Sequence, residues 1–117
     1  YLFLEYPACS TCRKAKKWLD EQKVNYTDRH IVEERPTCEE LKIWFERSGL
    51  PLRKFFNTSG LLYKSMQLKE KLDGMSEEKQ LELLASDGKL VKRPLVIGED
   101  FVLVGFKPEE WKTVLLK

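Results

Sequence analysis

The chain is poor in the side chains that build metal sites and disulfide scaffolds: it has one histidine and three cysteines in 117 residues. An odd cysteine count is a weak framework for staples. Two of the three stand only three positions apart, as Cys9 and Cys12, which is a common redox or metal arrangement in a reducing compartment. The cytoplasm is the location this usage points to. No apolar run approaches the ~20 residues that span a bilayer, and the opening Tyr1-Leu2-Phe3-Leu4-Glu5-Tyr6 lacks the basic start of a signal peptide. An excess of one charge is lacking too. Lys plus Arg number 21 against 19 for Asp plus Glu, a formal net charge of +2. That balance points away from direct nucleic-acid binding. No repeat, low-complexity tract or linker divides the chain.

What is present is ordinary globular material, 42% hydrophobic and 34% charged. The length fits a single domain over 1–117, with enough apolar residues for a core that needs no disulfides. Tyr1–Glu5 reads as a short strand that Pro7 breaks. From Cys9 or Ser10 the pattern turns helical, with Cys12, Ala15, Trp18, Leu19 and Gln22 on one face. Val24–Ile31 reads as a second strand. Thr37 and Glu40 form a capping box for a helix that ends at Ser48-Gly49. Pro51–Phe56 reads as a short helix, Asn57–Gly60 as a turn and Tyr63–Leu72 as a helix. Ser76 caps a further helix that runs to Asp87-Gly88. Arg93–Gly98 and Phe101–Val104 read as a hairpin, and Pro108–Leu116 as a last helix. The predicted fold class is therefore α/β: βαβ, then helices, then ββα. That is a thioredoxin-like four-stranded mixed sheet with a helical insertion, the core over about 1–35 and 89–117 and the insertion over about 36–88.

A Cys-x-x-Cys between a strand and a helix has a chemical use. The first sulfur sits where free amides and the helix dipole favour negative charge. Thiolate is the nucleophile, so Cys9 gains reactivity, and Cys12, one turn on, resolves a mixed disulfide. Arg13, Lys14, Lys16 and Lys17 add positive potential, though such a run is ordinarily a solvated helix face. Two other readings compete: half of a zinc site, and a pair of inert buried thiols. Zinc lacks partners, because Cys38 and His30 match no common ligand spacing, so no metal is expected. Cys38 stands beside Glu39 and Glu40, which oppose a thiolate, and reads as an incidental thiol. His30 has no partner in sequence and reads as a strand-surface residue. The aromatic residues Trp18, Trp44, Phe45 and Trp111 fall at core spacings.

The string Tyr6-Pro7-Ala8-Cys9-Ser10-Thr11-Cys12-Arg13-Lys14-Ala15 resembles the active-site loop of the ArsC/Spx family, both its arsenate reductases and, more closely, its Spx/MgsR-type proteins. Ser48-Gly49-Leu50-Pro51-Leu52-Arg53, Arg93-Pro94-Leu95-Val96-Ile97 and Val104-Gly105-Phe106-Lys107-Pro108-Glu109 resemble further segments of that family. The resemblance implies a thioredoxin-like core whose helical insertion lies between the second and third strands. It implies that Pro94 is a cis-proline facing the cysteine loop, that Ser10, Thr11 and Pro94 contact substrate, and that Arg93 lies near the reactive sulfur. An arginine there stabilises a thiolate or grips an oxyanion. The family's arsenate reductases set three arginines around the oxyanion; two of those positions align here with Asn57 and Phe106. Weak arsenate reduction is therefore expected, with Lys107, Arg53 and Lys64 as the cations that partly compensate.

Two functions of different class follow from the resemblance. One is a monomeric thiol–disulfide oxidoreductase without bound cofactor. It acts on a thiol or disulfide protein or a small oxyanion and is recycled by glutathione, glutaredoxin or thioredoxin. The other is a redox-sensing regulator that contacts the RNA polymerase α subunit through the segment around Gly49. The longer charged tail associated with Spx proteins is missing after Lys117, which favours the enzyme.

Overall fold

A computed structural model describes residues 1–116. The chain runs β1 (Leu2–Glu5), α1 (Ser10–Glu21), β2 (Thr27–His30), α2 (Cys38–Ser48), α3 (Leu61–Ser65), α4 (Leu68–Lys71), α5 (Glu77–Ser86), β3 (Leu95–Ile97), β4 (Val102–Val104) and α6 (Pro108–Leu115). Short 3₁₀ turns occupy Leu52–Phe55, Leu72–Gly74 and Gly88–Leu90. The strands form one mixed sheet in the order β2-β1-β3-β4. β1 pairs parallel to β2, with Phe3 opposite Asp28, and antiparallel to β3, with Phe3 opposite Val96. β3 and β4 form an antiparallel hairpin. A parallel pair joined through a helix, followed by a hairpin and a final helix, is the thioredoxin-like topology that the pattern predicts.

The period-2 alternation of strand side chains divides the core into two layers. Phe3, Val96 and Leu103 face α1 and α6, where they meet Ala15, Leu19 and Trp111. Leu4, Leu95, Ile97, Val102 and Val104 face the helices between β2 and β3, where they meet Leu41, Trp44, Phe55 and Leu84. Each fully buried aliphatic or aromatic side chain in these layers contributes about 1.5–3 kcal/mol. Trp111 ties one layer to the chain end that borders the site. Its indole N–H donates to the Gly105 carbonyl at 3.0 Å, and its ring meets Phe106 edge-on with centroids 4.9 Å apart.

Three segments can be set against the sequence pattern. The second strand starts at Thr27, not Val24. The Lys23 amide reaches the Asp20 carbonyl, the Val24 amide reaches the Leu19 carbonyl, and Lys23 takes φ +58. This is a Schellman stop, and it uses Val24 to seal α1 against Leu19. The helix expected over Tyr63–Leu72 is split into α3 and α4 because Gln67 adopts a left-handed conformation, φ +56. The short helix expected over Pro51–Phe56 is present as a 3₁₀ helix over Leu52–Phe55.

The start and stop of α2 follow the sequence signals. The Glu40 amide donates to the Thr37 hydroxyl at 3.1 Å, and the Thr37 amide donates to the Glu40 carboxylate at 3.0 Å. Gly49 ends the helix at φ +67, where a side chain would be strained. Glu40 also receives both terminal nitrogens of Arg29, at 2.7 and 2.9 Å, which locks β2 to the start of α2. The Arg29 hydrogen bonds, with help from the Thr37 amide, outweigh burial and hold the Glu40 carboxyl down at about 2.

A carboxyl depressed in the folded state stabilises it above its unfolded pKa of about 4.3 and loses that contribution as pH falls through the folded value. Glu40→Ala therefore lowers the unfolding free energy at pH 7 by roughly 1–2 kcal/mol, discounted for the partial exposure of the pair. The gap to the unaltered protein narrows as pH falls from about 4 toward about 2. Urea denaturation of both proteins across that range checks it, and a gap that is independent of pH contradicts it.

Candidate functional site

The loop from β1 to α1 is folded onto the helix start. The Cys9 amide donates to the Tyr6 carbonyl at 2.9 Å, which closes a turn over Pro7 and Ala8. Arg13 donates to the Pro7 carbonyl at 2.9 Å and ties the turn to the helix. Cys9 is the N-cap residue of α1, with extended backbone (φ −86, ψ 120), and its sulfur accepts from the Cys12 amide at 3.4 Å. A sulfur in the capping position takes one of the free helix amides and the positive end of the dipole together.

The two thiols of the motif have opposite surroundings. Cys9 is half-buried; Cys12 is fully buried on the inner face of α1. Burial pushes the Cys9 thiol up, but the Cys12 amide, the Cys12 thiol and the Arg93 guanidinium together bring it below the usual cysteine value. Burial pushes the Cys12 thiol up to about 12; the neighbouring Cys9 sulfur adds to this, and the Tyr6 amide and Arg93 only partly offset it. The surroundings thus favour the charged form of the Cys9 sulfur and disfavour that of the Cys12 sulfur.

Arg93 arrives from the far side of the site. The Arg93–Pro94 peptide bond is cis, and Pro94 is buried, its carbonyl accepting from the Gly105 amide at 2.9 Å. The Arg93 guanidinium lies over the Tyr6 ring at 4.9 Å and makes a long hydrogen bond, 3.5 Å, to the Lys89 carbonyl. Its buried Nε has no hydrogen-bond partner among the described residues. No carboxylate among the described residues competes for this cation, so its charge is left for the cysteine side.

Cys9 opens into a cleft of about 860 Å³ between the helix start, the Leu50–Gly60 segment and the turn after β4. Thr11 lines it, whereas Ser10 and Pro94, expected at the same surface, do not. Asn57 and Phe106 stand where the resemblance places arginines, and both are committed elsewhere. The Asn57 side chain donates to the Lys89 carbonyl at 3.5 Å and accepts from the Ser59 hydroxyl at 3.3 Å. Phe106 packs against Trp111 and Trp18. Of the proposed compensating cations, Lys107 and Arg53 line the cleft and Lys64 does not; Arg53 is paired with Asp73 at 2.9 Å.

His30 is a local turn cap: its Nδ1 accepts from the Val32 and Glu33 amides at 3.2 and 3.0 Å, and its ring abuts Tyr6. Cys38 is the first residue of α2 and packs at the border of the larger core layer, far in sequence from the pair. The sequence reasoning missed Tyr6 as the platform for Arg93, and it missed Lys54 and Lys92 as cleft residues. Nothing in a one-dimensional pattern signals either, because the partners are more than 30 positions apart.

Comparison with known proteins shows the family. A model of the ArsC family matches residues 4–114, and the chain belongs to that family. It is 56% identical over 110 residues to the protein YusI of Bacillus subtilis (strain 168), covering 94% of this chain and 93% of YusI. It is 32% identical over 108 residues to the regulatory protein MgsR of the same organism, covering 92% of this chain and 84% of MgsR. Among solved structures it is similar to a putative ArsC family related protein from Bacteroides fragilis. That match has 65% identity and a TM-score of 0.93, and it covers 96% of this chain and 94% of the other.

Removing the guanidinium tests the electrostatics. In Arg93→Ala the Cys9 pKa rises, so alkylation by iodoacetamide at neutral pH slows and its pH profile moves to higher pH. An unchanged profile separates Arg93 from the Cys9 thiolate.

Proposed function

We propose that this ArsC-family chain is a cytoplasmic thiol–disulfide oxidoreductase whose attacking group is Cys9 and whose resolving group is Cys12. The observation that carries the reading is the opposite placement of two sulfurs three residues apart, one half-buried at a helix cap where it accepts from the Cys12 amide at 3.4 Å and one fully buried. The Cys9 thiolate attacks one sulfur of a substrate disulfide, forms a Cys9 mixed disulfide and expels the other substrate sulfur as a thiolate. In the mixed disulfide Cys9 no longer carries charge, so one of the influences that raise Cys12 is removed. Cys12 gives its proton to the departing thiolate or to water, attacks the Cys9 sulfur and releases the second substrate thiol. The protein is left with a Cys9–Cys12 disulfide, oxidised by two electrons. An external thiol, supplied by glutathione, glutaredoxin or thioredoxin, returns it to the dithiol by the same exchange.

A second reading is supported by the 32% identity to a protein named as a regulator. In it the same pair is a switch, and the chain docks on the RNA polymerase α subunit through the segment around Gly49. That glycine is exposed, and no atom lies within 4 Å of where its Cβ would stand. The two readings separate in a pull-down from lysate. Cys12→Ser arrests exchange at the mixed disulfide, so an oxidoreductase retains reductant-releasable targets through Cys9. A regulator retains polymerase whether or not the cysteines are present.

Two outcomes are expected of the purified protein. In a redox titration followed by mass spectrometry, Cys9 and Cys12 lose two hydrogens together at one midpoint; two thiols that survive strong oxidant contradict the function. Arsenate turnover in an assay coupled to glutathione and glutaredoxin is weak. Each charge-assisted hydrogen bond is worth ~1.5–3 kcal/mol, so the absence of two arginines costs ~3–6 kcal/mol, roughly two to four orders of magnitude in rate. Turnover matching a family member that carries all three arginines contradicts this.

A further inference from the structure

We propose that the cleft above Cys9 selects disulfides whose sulfur is flanked by carboxylates, as in an acidic peptide segment, and that Lys54, Lys92 and Lys107 recognise those carboxylates. The inference rests on the thiol–disulfide reading and names the substrate class it acts on.

The charges around the cleft are one-sided. Five cationic residues line it and no aspartate or glutamate does, although the whole chain carries a formal net charge of only +2. Two of the five have other work: Arg53 is neutralised by Asp73, and Arg93 lies beside the Cys9 sulfur. The remaining three are Lys54 from the 3₁₀ turn after α2, Lys92 from the segment before β3, and Lys107 at the start of α6. None has a carboxylate at ion-pair distance among the described residues. A lone exposed lysine is usually a solvated surface group. Three that converge from separate segments on one opening, with no acid between them, make a field that draws anions toward the thiolate.

The kind of anion follows from how those charges are arranged. A small tetrahedral oxyanion is best held by closely spaced bidentate guanidinium groups, and the positions that would supply them are the engaged Asn57 and the stacked Phe106. Lysines are point charges on long stems, spread here around an opening of about 860 Å³. They suit a ligand whose negative groups stand apart. Leu50, Pro51, Phe56 and Val104 supply apolar wall between them, which suits the carbon skeleton of a peptide. The Lys92 stem has a place prepared for it: Gly105 holds φ +76, and a Cβ there would approach the Lys92 Cε to 3.3 Å. A disulfide carrying carboxylates is repelled by a bare thiolate, and these lysines remove that repulsion at the one sulfur that attacks.

The exchange balances as a dithiol plus a disulfide giving a protein disulfide plus two substrate thiols. The test is single-turnover oxidation of the reduced protein by symmetrical disulfides of three capped tripeptides: Glu-Cys-Glu, Gln-Cys-Gln and Lys-Cys-Lys. Each rate is divided by the rate of the same disulfide with dithiothreitol, which removes intrinsic differences in sulfur reactivity and thiolate repulsion. The acidic disulfide is expected to exceed the neutral one by about tenfold at low ionic strength, and the advantage falls as salt is added. In the triple variant Lys54→Gln, Lys92→Gln, Lys107→Gln the ratio of the acidic to the neutral normalised rate falls to about one, whatever the change in the neutral rate itself. A control with the same charge change on exposed sites away from the cleft, Lys17→Gln, Lys42→Gln, Lys69→Gln, keeps the preference. Equal normalised rates, a preference for the basic peptide, or a preference that survives the triple variant overturns the inference while leaving the function intact. Failure of every disulfide to oxidise the cysteine pair overturns both.

Discussion

One hydrogen bond organises the chemistry: the Cys12 amide donating to the Cys9 sulfur at the first turn of α1. It can form only if the loop after β1 doubles back over Pro7 and if α1 starts against the sheet at the depth of Cys12. The turn that joins the Cys9 amide to the Tyr6 carbonyl secures the first condition. Ala15 and Leu19, buried against Phe3, secure the second. The sheet core and the reactive sulfur are therefore one mechanical problem. Phe3 holds α1 down, α1 presents the Cys12 amide, and that amide favours negative charge on the Cys9 sulfur.

The same loop also explains how two neighbouring cysteines come to differ so widely. A helix places residues i and i+3 on nearly the same side, yet Cys9 is at the cap, outside the regular turn, and Cys12 points inward. The backbone of Tyr6 serves both sulfurs: its carbonyl takes the Cys9 amide, and its own amide faces the Cys12 sulfur. Its ring serves the third member, supporting the Arg93 guanidinium. With neither a hydrogen bond to its Nε nor a carboxylate partner among the described residues, that guanidinium keeps most of its field for the cleft. A carboxylate on Arg93 would hold it as firmly, but would cancel the charge that lowers the Cys9 pKa.

How much of this was legible in sequence depended on the range of the signal. Local chemistry read well. The capping box at Thr37 and Glu40, the glycine stop at Gly49 and the Cys-x-x-Cys at a helix start all depend on residues within a few positions of each other, and the structure has each where the pattern puts it. The errors arose where a residue without a recognised turn signal took a left-handed conformation. Lys23 and Gln67 do so without being glycine or asparagine; the first shortened β2, and the second divided a helix. The cleft was the least legible feature. Its lysines are scattered singly over more than 50 positions, each indistinguishable in sequence from a solvated surface residue. Only the pairing of β3 beside β1, with β4 at the sheet edge, brings them to one opening.

That placement bears on the choice between enzyme and regulator. A switch needs only that its cysteines oxidise and that the oxidised form differ in shape; nothing requires a substrate-sized opening at the attacking sulfur. Here the attacking sulfur lies in a large cleft whose free charges are all of one sign, while its partner is sealed in the core. On the proposed reading, a half-buried sulfur at a positive opening would meet the disulfides that the field brings to it, and a buried thiol pushed up to about 12 would delay resolution until the first bond has formed. Those are properties of a group that turns substrate over in two ordered steps. A sensor for small oxidants gains nothing from peptide-scale selectivity in the first step. The division of labour between the two sulfurs, more than the motif that carries them, is the physical reason to read the chain as an oxidoreductase.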